Sequence, residues 1–345
     1  MSAQFSDREV SRRTALAVLG ATGLGLAVMG LPLAAGESSD ESKSDESKSD
    51  ALAKLLPNFT AQSRSTLLRV LHDPEFSGQI PAADVLSLSR TENTSVDNLM
   101  LKLLPLAQSY SRAPISNFFV GVVVRGESGA LYIGANIEIP RQCLGFAVHA
   151  EQSALSNAYM HSEKSVTALA VGGAPCGHCR QFINEMSPAG EITILTPDKP
   201  TKLSAILPAA FGPAALGMTE GALPVRETKL ALMKESDDPM AQAALDAARK
   251  SYAPYSKSPS GIAIRSHSGR IYRGSYIENV AFNPSLSPLQ TALAGMIRAG
   301  EPYPAITGVV LVEVDDAKIS QRAVTETVLT AIAPTAKLEI TLARV

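Results

Sequence analysis

The chain has no tryptophan among its 345 residues, and aromatic residues make up only 5% of it. Proteins that bind single-stranded nucleic acid stack bases on aromatic side chains along a basic groove. The formal net charge of −2 also leaves no excess of lysine and arginine to neutralise phosphates. We therefore expect no nucleic-acid partner for this protein.

Cysteine is equally scarce, with three residues in the whole chain. Three cysteines cannot build the disulfide framework that holds small secreted domains together. The length instead predicts about two domains, and a hydrophobic share of 45% is enough for a sizeable core.

Two of these cysteines belong to a motif of metal-binding residues. The sequence reads H-A-E at 149–151 and P-C-G-H-C at 175–179. Zinc prefers four nitrogen and sulfur ligands, and His149, Cys176 and Cys179 supply three of them, which leaves one position for water. The pattern H-x-E followed by P-C-x-x-C is the established signature of zinc-dependent nucleobase deaminases, so the motif is matched here and not newly derived.

Glu151 follows the histidine by two residues and is predicted not to be a ligand. We expect its carboxylate to take a proton from the activated water and to pass it to the substrate. A C-x-x-C pair alone would equally suit a redox pair or half of a structural zinc site. The upstream H-x-E and the absence of a second C-x-x-C favour the catalytic interpretation.

The first half of the chain predicts an α/β fold with a mixed sheet and helices on both faces. The predicted strands are 117–124, 130–139, 166–171 and 191–195, and the predicted helices begin at His149 and at Pro175. Both metal-binding blocks therefore open helices, and the zinc site should lie between two helix N-termini.

The N-terminal region differs in composition from the remainder. Residues 1–36 contain Arg12-Arg13 before a long uncharged run, which resembles a twin-arginine export signal, with an uncleaved membrane anchor or a mis-called start codon as alternatives. Residues 37–50 are acidic and serine-rich and predict a disordered tether. Residues 51–94 show leucines at helical spacing and predict a small helical arm.

From about Leu99 onward the sequence resembles the zinc-dependent cytidine deaminases, specifically the two-domain, homodimeric type. The segments that carry the resemblance are S-N-F at 116–118, G-A-N-I-E at 134–138, V-H-A-E-Q-S-A at 148–154, P-C-G-H-C-R-Q-F at 175–182, A-F-G-P at 210–213, P-Y-S-K-S-P-S-G at 254–261 and E-N-V-A-F-N-P at 278–284.

The resemblance implies roles for the site residues. His149, Cys176 and Cys179 match the family's zinc ligands, with one Zn²⁺ per subunit, and Glu151 matches its proton shuttle. Further positions match substrate-binding residues: Asn136 and Glu138 for the ribose 3′-hydroxyl, Phe118 for the pyrimidine ring, and Phe211, Ala281 and Phe282 for closing the site. Ala281 and Phe282 would do so in the other subunit of a homodimer.

The second half repeats the first without its metal site. Residues 253–280 match residues 113–140 at a constant offset of 140, with no gap. Where His149 should recur, the chain reads S-P-L-Q-T-A at 287–292, and no cysteine follows Cys179. This internal duplication predicts two tandem α/β/α domains of the deaminase type, the second of them degenerate.

The resemblance implies hydrolytic deamination of cytidine and 2′-deoxycytidine in pyrimidine salvage, by an enzyme that is cytosolic in the family. A polynucleotide cytosine deaminase and a non-catalytic, zinc-stabilised interaction module are the alternatives. The expected domains are a signal or anchor segment at 1–36, a tether at 37–50, an arm at 51–94, a catalytic domain at 95–215, a linker at 216–232 and the degenerate domain at 233–345.

Overall fold

The computed structural model of the protein describes residues 52–186 and 191–345. The predicted export segment and tether lie outside these residues. The predicted arm at 51–94 contains the helices α1 (Ala61–Leu71) and α2 (Ala82–Thr91) and the short strand β1 (Gln79–Ile80). Two further helices, α3 (Val96–Lys102) and α4 (Leu104–Gln108), follow it and precede the first sheet hairpin.

Three of these helices are joined through Glu92, which lies at the C-terminal end of α2. Its carboxylate accepts hydrogen bonds from the backbone N–H and hydroxyl of Thr60, the residue that caps α1. It also accepts one from Lys102 at the end of α3, at 2.6 Å. Burial alone would raise the pKa of Glu92, but the hydrogen bonds outweigh it and lower the pKa to about 2.

The first half of the molecule is a six-stranded sheet that carries the metal-binding helices. Its strands run in the order β1-β3-β2-β4-β5-β6, and only β4 and β5 are parallel to each other, which confirms the predicted mixed sheet. The elements are β2 (Gly121–Gly126), β3 (Leu131–Ala135), α5 (Ala150–Met160), β4 (Val166–Val171), α6 (Gly177–Met186), β5 (Thr193–Leu195), β6 (Pro200–Lys202) and α7 (Leu203–Ile206).

The second half is a five-stranded sheet in the order β7-β11-β10-β8-β9, again with one parallel pair, β10 and β11. Its elements are β7 (Ala231–Leu232), α8 (Pro239–Arg249), β8 (Ser260–Ser266), β9 (Ile271–Ser275), α9 (Pro288–Arg298), β10 (Ile306–Val314), α10 (Arg322–Ile332) and β11 (Lys337–Arg344).

The two halves share one hairpin register, which confirms the duplication. In the first hairpin Gly121 pairs with Ala135, and in the second Gly261 pairs with Ser275, each 140 residues later. The helix that follows the hairpin packs on its second strand in both halves.

A glycine permits this close packing of helix on strand. A Cβ atom added at Gly134 in β3 would lie 2.1 Å from the backbone nitrogen of Ala154 in α5, and one at Gly274 in β9 would lie 2.1 Å from the carbonyl oxygen of Pro288 in α9. Any larger residue would separate helix and strand.

The two halves and the arm form one body. A single hydrophobic cluster includes Leu67 of the arm, Leu155 of α5 and Leu293 of α9. The buried guanidinium of Arg298 on α9 donates to the carbonyl oxygens of Ser77 in the arm and Ser153 in α5, at 3.0 and 3.1 Å. These bonds tie three sequence regions together around the helix that follows His149.

Reciprocal hydrogen bonds also link equivalent glutamines of the two halves. The Gln152 amide in α5 donates to the carbonyl oxygen of Pro284 at 3.0 Å, and the Gln290 amide in α9 donates to that of Phe146 at 3.1 Å. Each half therefore holds the loop that precedes the other half's helix.

The ends of three predicted strands were wrong. β2 begins at Gly121 and not at Asn117, β3 ends at Ala135 and not at Ile139, and β5 begins at Thr193 and not at Glu191. Residues 136–138 instead lie in a loop, in which Ile137 makes an isolated β-bridge to Val148. None of the helices among the described residues is long and apolar enough to cross a bilayer.

Candidate metal and active site

His149 caps the N-terminus of α5. Its backbone N–H donates to the side-chain oxygen of Gln152 at 3.1 Å, which holds the chain in an extended conformation immediately before the helix. The preceding residue, Val148, pairs with Ile137 through two hydrogen bonds of 2.8 Å. The imidazole therefore projects from a position fixed on both sides.

The two cysteines lie at the start of α6. Cys176 immediately precedes the helix, one position outside the predicted first turn, and its carbonyl oxygen accepts the N–H of Arg180 at 3.0 Å. Cys179 is fully buried and its backbone N–H points to the Cys176 sulfur at 3.5 Å. Such N–H groups at a helix start favour thiolates.

The three ligand atoms converge on one point. The His149 Nδ1 atom lies 3.7 Å from the Cys176 sulfur and 3.3 Å from the Cys179 sulfur, and the two sulfurs are 3.5 Å apart. Tetrahedral zinc with ordinary bond lengths separates such atoms by about 3.6–3.8 Å. The residues therefore fit a zinc ion that retains one further position, and no other described carboxylate, cysteine or histidine joins this group.

The two thiols are hydrogen-bonded to each other, which shifts their pKa values in opposite directions. This bond lowers the pKa of Cys176 to about 4, whereas the bond and burial raise the pKa of Cys179. A dication in this position would displace the thiol protons, as metal binding to thiols generally does.

Glu151 is the second residue of α5, within the first turn of the helix, and it is only 6% exposed. Its carboxyl group is within hydrogen-bonding reach of Cys179, and burial raises its pKa. A carboxyl group with a raised pKa, beside a metal site but outside the ligand set, is suited to hold and release a proton.

His178 has a contact that the sequence did not predict. It lies between the two cysteines, and its ring stacks on that of His149, with centroids 5.0 Å apart and 27° between the planes. The stacked ring helps to fix the orientation of the ligand imidazole. The only indication of this contact in the sequence is the presence of a histidine between the two cysteines.

Asn136 and Glu138 bind the loop that precedes β2. Glu138 accepts the N–H groups of Ile115 and Ser116 at 2.8 and 2.9 Å and also the Ser116 hydroxyl. Burial opposes ionisation of Glu138, but these hydrogen bonds outweigh it and lower its pKa. Asn136 donates to the carbonyl oxygen of Phe118 at 2.8 Å, so this amide and this aromatic residue are neighbours.

The same loop contact recurs in the second half, where no metal ligands exist. Glu278 accepts the N–H groups of Tyr255 and Ser256 at 2.8 and 3.2 Å. The hydrogen bonds of Glu138 to this loop therefore do not depend on a metal site, because its counterpart Glu278 makes the same contacts without one.

The three remaining predicted site residues lie on exposed loops that α6 holds. The Gln181 amide, two residues after Cys179, donates to the carbonyl oxygen of Phe211 at 2.7 Å. Phe211, Ala281 and Phe282 are all exposed, and Phe282 is 70% exposed. The structure thus brings the ligands and Glu151 together, and it leaves Phe282 largely exposed in the single chain.

The second half keeps the helix cap and has lost the ligand. Ser287 stands where His149 stands in the first half, and its hydroxyl accepts the N–H of Gln290 at 3.2 Å. Gln290 in turn accepts the N–H of Ser287 at 2.9 Å, as Gln152 does for His149.

Comparison with known protein families agrees with this architecture. Two family models, both described as the cytidine and deoxycytidylate deaminase zinc-binding region, match residues 94–196 and 203–326. The cytidine deaminase of Vibrio vulnificus is 44% identical over 261 residues, which is 75% of this chain and 88% of the relative. That of Aliivibrio fischeri is 42% identical over 289 residues, 84% of this chain and 96% of the relative.

The chain therefore belongs to the cytidine and deoxycytidylate deaminase family, and zinc is its metal. Solved structures of single-domain length are also similar to about one third of it. The cytidine deaminase of Mycobacterium tuberculosis is 28% identical with a TM-score of 0.32, covering 33% of this chain and 96% of that chain. The cytidine deaminase of Mycobacterium leprae is 32% identical with a TM-score of 0.30, covering 32% and 96%.

Proposed function

We propose that this protein catalyses the zinc-dependent hydrolysis of cytidine and 2′-deoxycytidine to uridine and 2′-deoxyuridine with release of ammonia. The observation that carries the proposal is the convergence of one imidazole and two thiols at 3.3–3.7 Å, with the buried carboxyl group of Glu151 beside them. The relatives that match most of the chain are named cytidine deaminases.

In this mechanism His149, Cys176 and Cys179 hold the metal. Zinc bound there supplies the Lewis acidity that makes water a nucleophile at neutral pH. Glu151 takes the proton from the attacking water and delivers it to N3 of the pyrimidine. It then takes the proton of the hydroxyl group that water has added to C4 and delivers it to the amino group on C4. The C4–N bond breaks, ammonia leaves and the C4 carbonyl of the product forms.

We assign the sugar contact to Asn136 and Glu138 and the contact with the base to Phe118. A carboxylate offers about four lone-pair positions, and the 115–116 loop uses three of those of Glu138. The fourth can accept a ribose hydroxyl without loss of the loop contacts. Phe211 is proposed to cover the bound nucleoside.

A homodimer in which Ala281 and Phe282 complete the partner's site accounts for the exposure of these two residues in the single chain. We also propose the domain boundaries 95–215 and 233–345 with a linker at 216–232. Each proposed domain contains all strands of one sheet except a two-residue strand, β1 or β7, which lies outside the boundary. The paired arginines and uncharged run support an export or anchoring role for residues 1–36, which N-terminal sequencing of the purified protein would test.

An absorbance assay of cytidine deamination tests the function directly. We expect turnover of free cytidine and deoxycytidine, loss of turnover with a zinc chelator, and recovery on adding zinc. A cytosine-containing oligonucleotide is the comparison substrate. Turnover of the oligonucleotide in preference to the nucleoside, or zinc-loaded protein without turnover of either, would contradict the proposal.

A further inference from the structure

Besides Glu151 on α5, a second buried acidic residue lies on α6, after the metal-binding cysteines. Glu185 lies six residues after Cys179, is fully buried, and has no part in the proposed chemistry. Its carboxylate accepts the hydroxyl groups of Tyr252 and Tyr255 and the N–H of Val280 at 3.0 Å. All three donors belong to the second half of the chain.

The Val280 contact places Glu185 under the loop that bears Phe282. Asn279, also fully buried, attaches this loop to α6 a second time, because its amide donates to the carbonyl oxygen of Gln181 at 3.1 Å. The Asn279 side-chain oxygen accepts the N–H of Ala281 at 2.9 Å. The loop is therefore built on α6 of its own chain.

Phe282 directly follows the residues that this network holds, and its backbone N–H donates to the carbonyl oxygen of Asn279 at 2.9 Å. Its φ angle is +62°, in the left-handed region that large side chains rarely adopt. The ring is 70% exposed, so it does not pack within its own chain and is available to a second molecule.

We propose that Glu185 is a positioning residue for the active site of the partner subunit. By holding Val280 and both tyrosines, it keeps Phe282 in the conformation that reaches the neighbouring site. The inference rests on the proposed deaminase function and homodimer, and it adds that a change on the metal-bearing helix of one chain damages catalysis in the other.

Replacing Glu185 with glutamine tests the contact with little change in volume. An amide cannot accept from all three donors at once, so either the N–H of Val280 or a tyrosine loses its acceptor. Contacts between a base and an aromatic ring contribute to binding, and we expect the KM for cytidine to rise about tenfold, with kcat and zinc content unchanged. Tyr255→Phe, which leaves α6 intact, should raise KM in the same direction by less.

Glu163→Gln is the matched control. Glu163 is another buried carboxylate with a tyrosine partner, accepting from Tyr132 at 2.9 Å and from Ser128, but it caps the first hairpin and not the loop of Phe282. We expect lower thermal stability and an unchanged KM for this variant.

Mixed dimers, purified through two different tags, show in which chain Glu185 acts. In the first dimer a Glu151→Gln chain pairs with a Glu185→Gln chain. In the second, a chain with both substitutions pairs with a wild-type chain. Each dimer has one site with an intact Glu151, and only the second leaves that site facing a damaged loop.

We expect a wild-type KM in the first dimer and a raised KM in the second. The opposite result would show that Glu185 acts on its own site and would overturn the proposal. An unchanged KM in both dimers, or a wild-type chain that remains monomeric by light scattering, would overturn it as well. The deaminase assignment is judged separately, by the turnover of wild-type protein and its loss in Glu151→Gln.

Discussion

Glu151 is the residue whose surroundings decide the proposed chemistry. It lies beside the ligands without belonging to them, it is 6% exposed, and burial raises its pKa. Glutamine has nearly the same shape but cannot carry a proton between water and the substrate. The zinc ligands are untouched by this change.

We expect Glu151→Gln to lower kcat by at least about 10²–10⁴-fold, the usual contribution of a positioned acid and base. Zinc content, measured by atomic emission, should stay at one per chain. Cys176→Ala is the comparison, because it should lose metal and activity together. Near-normal turnover in the glutamine variant would exclude Glu151 as the proton carrier.

At the scale of elements, the contact of α5 with β3 sets the position of the site. Gly134 leaves no room for a methyl group, since a Cβ there would lie 2.1 Å from a backbone atom of α5. α5 carries Glu151 and begins directly after His149. Displacing the helix should therefore disturb both the metal site and the proton carrier.

Gly134→Ala is expected to destabilise the protein by about 1–3 kcal/mol, the usual cost of overpacking, and to reduce both zinc affinity and kcat. Gly274→Ala introduces the same clash in the second half, where no ligand follows. We expect it to cost similar stability in urea unfolding with little change in zinc affinity. Equal loss of zinc in both variants would contradict this separation.

The elements also show what the sequence could predict. The strand at 166–171 was located correctly, because a continuous apolar run between polar residues is a local signal. The predicted ends of β2 and β3 were wrong because side-chain hydrogen bonds to the backbone determine where these two strands begin and end. Asn136 and Glu138 bind the backbone of residues 115–120, which keeps that segment from continuing the strand.

The metal site was predictable because all its ligands lie in two short blocks whose spacing is itself the signal. The contacts of Glu185 were not. Its partners Tyr252 and Val280 lie 67 and 95 residues further along the chain, and no periodicity or motif indicates such a pairing. Long-range polar contacts of this kind depend on the packing of the two halves.

At the scale of the whole molecule, Arg298 is the contact that joins the parts. Its buried guanidinium binds carbonyl oxygens of the arm and of α5 from a helix of the second half. The same hydrophobic cluster extends through all three regions. We therefore expect the described regions to unfold together, in spite of the duplication.

Arg298→Met keeps much of the side-chain volume but leaves the carbonyl oxygens of Ser77 and Ser153 without this donor. An unsatisfied buried group costs about 1–3 kcal/mol, so we expect a loss of about 2 kcal/mol or more in urea unfolding. Arg322→Met is the control, since Arg322 is exposed and pairs only with Glu326 one turn away, and it should change stability by less than about 0.5 kcal/mol. A stability loss confined to one of two separate transitions would show that the halves unfold independently.

Ser287 and His149 stand at equivalent positions before α9 and α5, but only His149 is a candidate metal ligand. This difference bears on how the two halves diverged after the duplication. Ser287 caps α9 with its hydroxyl, whereas the His149 imidazole at the start of α5 faces the two cysteine sulfurs. The fold of the second half therefore does not depend on metal ligands, so a duplicated copy could lose them and still fold.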